Sequence, residues 1–212
     1  MSHALPYAGR PPRALAVIGV ITIVVGVGFL ALSATNAAAL TTFEGLLPWI
    51  VGILFILAGV LSIRPGTHPA FVLMTLDLVG LAIAGYLSSV ELQNKVPYCS
   101  VLKGCEQVAQ SEFARVGGVP VAVFGVFLSA TLFILAFAWW RTGSTALLGA
   151  HYALSLAGTL FEGYFTYLEL FVIHAVCIWC AAYGISLLLR FAVALVVWVN
   201  RPRAEDLAVA DG

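Results

Sequence analysis

Charge is what this sequence has least of. Only 9% of its 212 residues are Asp, Glu, Lys or Arg, and they balance to a net charge of zero. A soluble domain needs a polar surface and a nucleic-acid binder a basic one, so this composition excludes the first and gives no electrostatic reason to expect the second. Internal repeats and low-complexity tracts are missing, as is any polar stretch long enough to fold as a separate soluble domain. Cysteine is scarce too, with four in the chain. What is abundant is apolar sequence, 62% of the residues.

Runs of about 18 or more apolar residues read as membrane-spanning helices. Six are present, at 14–32, 46–63, 70–90, 120–140, 146–170 and 171–189. The last two nearly touch, which predicts a tight turn around 171–175. Basic residues in short connections set the orientation. Arg10, Arg13, Arg64, Arg141, Arg190, Arg201 and Arg203 fall on one side, against Lys95, Lys103 and Arg115 on the other. Both termini are therefore expected in the cytoplasm, with the loop 91–119 and the start of the sixth helix facing outward. Ala37-Ala38-Ala39 after the first run also resembles a signal-peptide cleavage site, although the run is longer than a usual signal core. The expected organisation is an accessory helix pair at 1–69, a four-helix bundle at 70–199 that carries the chemistry, and a short tail at 200–212.

Within the outward loop, Cys105, Ala109, Phe113 and Val116 recur at helical spacing, with Glu106, Gln107 and Gln110 elsewhere around the helix. This predicts a short amphipathic helix over 105–116 at the membrane surface, ended by Gly117-Gly118, with Pro120 in the first turn of the next helix. Cys105 would be partly sunk into the bundle mouth, and Cys99 would sit on the more mobile approach.

All four cysteines thus fall on one membrane face. Cys177-Ile178-Trp179-Cys180 is a C-x-x-C at the start of a helix, where residues at i and i+3 share a side and the helix N-terminus favours the thiolate. Burial at the membrane edge opposes ionisation. Four readings compete: small buried apolar residues, two structural disulfides, a four-thiolate zinc site, and a relay for thiol–disulfide exchange. The relay accounts best for two close pairs on an oxidising face, one of them a C-x-x-C. The other ligands a zinc site would want do not cluster nearby, so no metal is expected.

The ordered set goes further. Cys99-x5-Cys105, then Ser111, then Gly118-Val119-Pro120-Val121-Ala122-Val123-Phe124-Gly125, resembles the vitamin K epoxide reductase family, as does Tyr164-Phe165-Thr166-Tyr167-Leu168-Glu169 running into Cys177-x-x-Cys180. The resemblance covers about 70–189 and implies a four-helix membrane bundle around a quinone, menaquinone or ubiquinone. It implies that Cys99 and Cys105 take electrons from a secreted thioredoxin-fold thiol oxidase and pass them to Cys177 and Cys180, with Cys180 nearest the quinone. Ser111 matches a family serine close to the quinone. Animal members that reduce vitamin K epoxide have an Asn where this chain has Val121, and a Tyr where it has Gly184, with Tyr183 one step off. The closer resemblance is to the bacterial disulfide-forming type. Many bacterial relatives carry a fused thioredoxin-like domain; none is seen here, so the partner is expected to act in trans.

Phe161, Tyr164 and Phe165 precede the C-x-x-C and are candidates to wall the quinone, with packing as the alternative. Glu162 and Glu169 share a helix face; Glu162, the deeper, is a candidate for delivering protons or for a helix-packing hydrogen bond. Asp77 reads as structural, and His174 as an interfacial histidine that stands three residues before Cys177.

The sequence therefore predicts an all-α integral membrane protein of six helices in the bacterial plasma membrane, its catalytic cysteines facing outward. Its expected activity is oxidation of a thiol partner with reduction of a quinone. Two alternatives stand beside it: recycling of vitamin K epoxide or quinone for its own sake, and a non-catalytic membrane protein braced by disulfides.

Overall fold

The computed structural model describes residues 12–34, 43–97, 99 and 104–201. Arg10, Lys103, Arg203 and the Ala37-Ala38-Ala39 site, on which the orientation and cleavage readings drew, lie outside these. Among the described residues, six helices are long and apolar enough to cross a membrane. They are α1 (Arg13–Ala34), α2 (Phe43–Ile63), α3 (Pro69–Leu92), α5 (Val121–Thr142), α6 (Thr145–Leu168) and α7 (Ile178–Val199), with a short α4 (Cys105–Gln110) between α3 and α5. The protein is thus an all-α membrane protein, with one small two-stranded ladder.

Local sequence sets the helix ends. His68 caps α3, its Nδ1 accepting from the Ala70 amide 3.2 Å away, and Pro69 occupies the first turn, where its missing N–H costs nothing. Gly143, at φ 69°, closes α5 in the left-handed conformation that glycine adopts without strain, so α6 can begin two residues later. α3 is the most buried span and packs against α2, α5 and α7, while α6 lies against α5 and α7.

Four sequence expectations change. The helix expected over 105–116 ends at Gln110; a 3₁₀ turn (Glu112–Ala114) and a hairpin of β1 (Arg115–Val116) and β2 (Val119–Pro120) follow. Gly117 and Gly118, both at positive φ, form the turn of that hairpin and do not stop a helix. Arg115 fixes the hairpin to the end of α3, donating to the Glu91 carbonyl at 2.9 Å and to the Asn94 side chain at 3.3 Å. Pro120 caps α5 from just outside it.

The last span is displaced as well. It runs 178–199 where apolar length suggested 171–189. The π-helical turn Glu169–Ile173 continues α6, His174 at φ 54° breaks it, and an extended stretch leads to Cys177. Apolarity cannot mark such a boundary; backbone conformation at His174 and the cap at Cys177 do. Moving the helix carries Arg190 from the expected cytoplasmic end into the bundle, where it is fully buried. It is no loop charge and drops out of the orientation count, though the bias it joined is kept by the remaining arginines.

Candidate functional site

The cysteines gather at one end of the bundle. Cys99 and Cys105 are joined in a disulfide, so as found they cannot serve as two of four thiolate ligands. Cys105 begins α4 and is buried, as are the inward sides of Val108 and Ala109 in part, while Glu106, Gln107 and Gln110 are exposed. Cys99 is half-buried. Cys177 and Cys180 are free thiols. Cys177 is the N-cap of α7, its Sγ accepting from the Cys180 amide at 3.4 Å. A cysteine in the capping position turns its sulfur towards the helix amides.

The two pairs are brought together by a close backbone approach. Gly104, just before Cys105, lies against Val176, just before Cys177; a Cβ on Gly104 would sit 2.6 Å from the Val176 amide nitrogen. Only glycine allows this contact without movement.

Glu169 stands beside the C-x-x-C. Its carboxylate accepts from the Cys177 amide at 3.3 Å, and one of its oxygens and the two sulfurs all lie within 4.8 Å of one another. Two soft thiolates and a carboxylate are a set that can hold a thiophilic metal, and the same closeness lets the carboxyl group exchange protons with the thiols. Glu169 also borders two hollows. One is a shallow outer pocket shared with Gly104, Gln107 and His174; the other is a large cavity inside the bundle.

That cavity holds about 820 Å³ of empty space, part of it open to the surroundings. Its wall is mostly apolar and includes Val108 and Ala109 from α4, Val121, Phe124 and Leu128 from α5, Phe161 and Phe165 from α6, and Cys180 and Tyr183 from α7. Phe124 and Phe161 are each about half exposed, at 48% and 50%, so the mouth opens between α5 and α6 on a membrane-facing surface. Glu91, Glu162 and Glu169 are the acidic members of the lining.

Other sequence candidates fall elsewhere. Tyr164 is exposed and outside the lining. Ser111 is outside it too, its hydroxyl donating to the Val108 carbonyl at 2.8 Å. His174 is exposed, its Nδ1 3.2 Å from the Leu170 carbonyl. Tyr183, one step off the position where animal members have a tyrosine, still reaches the site. Residues three and four beyond Cys180 both lie on its side of α7, so Tyr183 lines the cavity while Gly184 faces Glu162.

Asp77, read as structural, proves to be one member of a buried polar cluster whose other members carried no recognised role. Asp77 lies 3.3 Å from His151 Nε2 and 3.6 Å from Arg190 Nη1. An arginine inside a membrane span is itself a signal of function, lost here because the span was expected to end before it. His151, Ser129 and Ser186 have no local pattern to mark them.

A dithiol seated against an apolar cavity that opens to lipid is the arrangement of a multi-pass membrane oxidoreductase. The sequence model of the Vitamin K epoxide reductase family matches residues 71–195, and the chain belongs to that family. Its members are oxidoreductases that use quinones. No curated protein matches the chain.

Proposed function

We propose that this chain is a bacterial membrane thiol oxidase that accepts electrons from a secreted thioredoxin-fold protein acting in trans and delivers them to menaquinone or ubiquinone. The observation that carries this reading is Cys180 in the wall of a lipid-facing apolar cavity, with Gly104, next to the disulfide-bonded Cys105, packed against Val176, next to Cys177. Its apolar wall with a few polar groups suits a quinone head. Phe161 and Phe165 would flank the ring, and the chain would leave between α5 and α6.

A quinone, when bound, accepts two electrons and two protons at its carbonyl oxygens. The thiols of Cys177 and Cys180 supply both electrons as their S–S bond forms, and release two protons. Glu169, in contact with the C-x-x-C, is placed to take a proton from the thiols, and Glu162 lies further along the same wall. The oxidised C-x-x-C is then reduced by Cys99 and Cys105, which in turn oxidise the partner dithiol. Cys99 is the more accessible of that pair and would form the mixed disulfide with the partner.

On this reading 1–69 is an accessory pair, 70–199 the catalytic bundle, and 200–212 a cytoplasmic tail; the cysteines face the outside of the cell. A membrane-impermeant thiol reagent, applied to intact cells after reduction, should label Cys99. The decisive assay is quinone reduction by purified protein with a reduced thioredoxin-fold donor. A protein that keeps its cysteine states unchanged when quinone is supplied would favour structural disulfides. Val121, which offers no donor to the cavity, makes vitamin K epoxide the poorer substrate, because epoxide opening builds charge on oxygen.

A further inference from the structure

We propose that Arg190, acting through Ser129, polarises the Tyr183 hydroxyl as the hydrogen-bond donor to a quinone oxygen. The inference rests on the quinone reading of the cavity and adds to it two positioning residues that do not touch the ligand.

Arg190 is fully buried in α7. Its Nη2 donates to Ser186 Oγ at 2.7 Å and its Nε to the Ser186 carbonyl at 3.2 Å. Its Nη1 lies 3.6 Å from Asp77 and donates to Ser129 Oγ at 3.2 Å. Asp77 comes from α3, Ser129 from α5, His151 from α6, and Arg190 with Ser186 from α7, so the cluster ties all four helices of the bundle. Space for the guanidinium is left by Gly80, where a Cβ would collide with it.

A clasp of Asp77, His151 and Arg190 would hold the helices without Ser129. The serine adds a direction. Arginine has donors only, so Ser129 Oγ accepts from Arg190 and its own hydrogen is left for Tyr183 Oη, 3.3 Å away. The Tyr183 hydrogen then goes to the Gly125 carbonyl at 3.1 Å. Every link points the same way, from a fixed positive charge to the cavity wall, and hydrogen bonds in such a series strengthen one another in a low dielectric. The guanidinium also lies 5.5 Å over the Tyr183 ring, which holds the ring in place.

Gly125 and Tyr183 both line the cavity. A Cβ on Gly125 would stand 3.2 Å from the tyrosine oxygen, so glycine keeps the approach to the hydroxyl open. A quinone carbonyl can therefore replace the Gly125 carbonyl as acceptor. The donor acts most strongly as electrons arrive from Cys180 and charge builds on that oxygen, which is where a donor raises a rate. No proton need leave Tyr183; the two protons of the hydroquinone match those released by the two thiols.

Ser129→Ala is the informative variant, because truncating Arg190 would strand the buried Asp77 charge and threaten folding. The probe is ubiquinone-1 carrying ¹³C at its carbonyls, bound to the oxidised protein and followed by infrared difference spectroscopy, together with turnover on a small dithiol. The wild-type protein should shift the carbonyl band to lower frequency, Ser129→Ala should shift it less, and Tyr183→Phe least. Turnover should fall about 100-fold in Tyr183→Phe and about tenfold in Ser129→Ala, with the double variant no slower than Tyr183→Phe alone. Losses that multiply in the double variant, or a band unmoved by Ser129→Ala, overturn the inference while leaving the quinone reading intact. Failure of the wild-type protein to bind or reduce both ubiquinone-1 and a short-chain menaquinone overturns that reading and this inference with it.

Discussion

The first two helices and the four-helix bundle solve the same problem in opposite ways. In a membrane, lipid is as apolar as leucine, so helices associate by close packing or by polar contacts between them. α1 and α2 use close packing. Gly19 meets Gly59 and Gly26 meets Gly52 along one seam; a Cβ on Gly59 would lie 2.6 Å from the Gly19 carbonyl oxygen, and one on Gly26 would lie 2.8 Å from that of Gly52. The bundle cannot do this throughout, because a seam closed along its whole length leaves no room for a ligand. It keeps a cavity at the cysteine end and ties its helices just behind the cavity wall with Asp77, His151 and Arg190. The difference teaches that buried charge here is the counterpart of hollow space: the polar clasp holds helices that the cavity keeps apart.

The comparison breaks first at the cysteines. Cys180→Ala should abolish quinone reduction with every donor, whereas Cys99→Ala or Cys105→Ala should abolish it with a protein partner and retain activity with a small dithiol. Quinone absorbance with the two donors in parallel separates these outcomes. Equal loss with both donors in the loop variants would reject the division between the pairs.

A smaller effect distinguishes the two packing modes. Replacing Asp77 with Ala should cost about 3–5 kcal/mol, because it leaves the Arg190 guanidinium buried without its carboxylate. Gly59→Ile, which forces α1 from α2, should also lower the melting temperature, yet leave dithiol turnover within about twofold of the original, since the seam touches no group of the cavity. Activity lost in step with stability in both variants would mean that the pair and the bundle are one unit.

Weaker still is Phe161→Ala. Its ring is half exposed at the cavity mouth, so removing it should forfeit about 1 kcal/mol of contact and raise the quinone KM about fivefold with little change in kcat. The smallest change is expected from Phe29→Ala in α1. Phe29 meets Trp179 edge-on with centroids 5.9 Å apart, and Trp179 stands inside the C-x-x-C, so α1 touches the cysteine end of the bundle at this ring contact. Such a pair is worth about 0.5–1.5 kcal/mol, and the loss should appear in thermal denaturation before it appears in turnover.

What could be seen in the sequence divides along the same physical line. Apolar length marks the spans because the bilayer imposes it, and i,i+3 spacing places Cys177 and Cys180 together because the helix imposes that. The loop was harder: Phe113 and Val116 continue a helical rhythm by coincidence, and the positive φ of Gly117 and Gly118 turned the chain back as a hairpin. His151 and Asp77 are 74 residues apart, and Ser129 and Arg190 are 61 apart, so only the packing of helices brings them together. Arg190 was in view throughout, but a span ended by apolarity alone placed it outside the membrane. The cavity had no signature of its own, being the space that ordinary residues leave.

The closed Cys99–Cys105 bridge beside the open thiols of Cys177 and Cys180 has a consequence for timing. A chain of four cysteines can store two dithiols, and this state stores one. On the proposed function, the bridge is ready to be attacked by a new partner while the dithiol of Cys177 and Cys180 still waits for an acceptor. A partner protein at the surface and a lipid-soluble acceptor in the membrane could then arrive in either order. Two supplies that fluctuate independently are buffered against each other inside a single small protein.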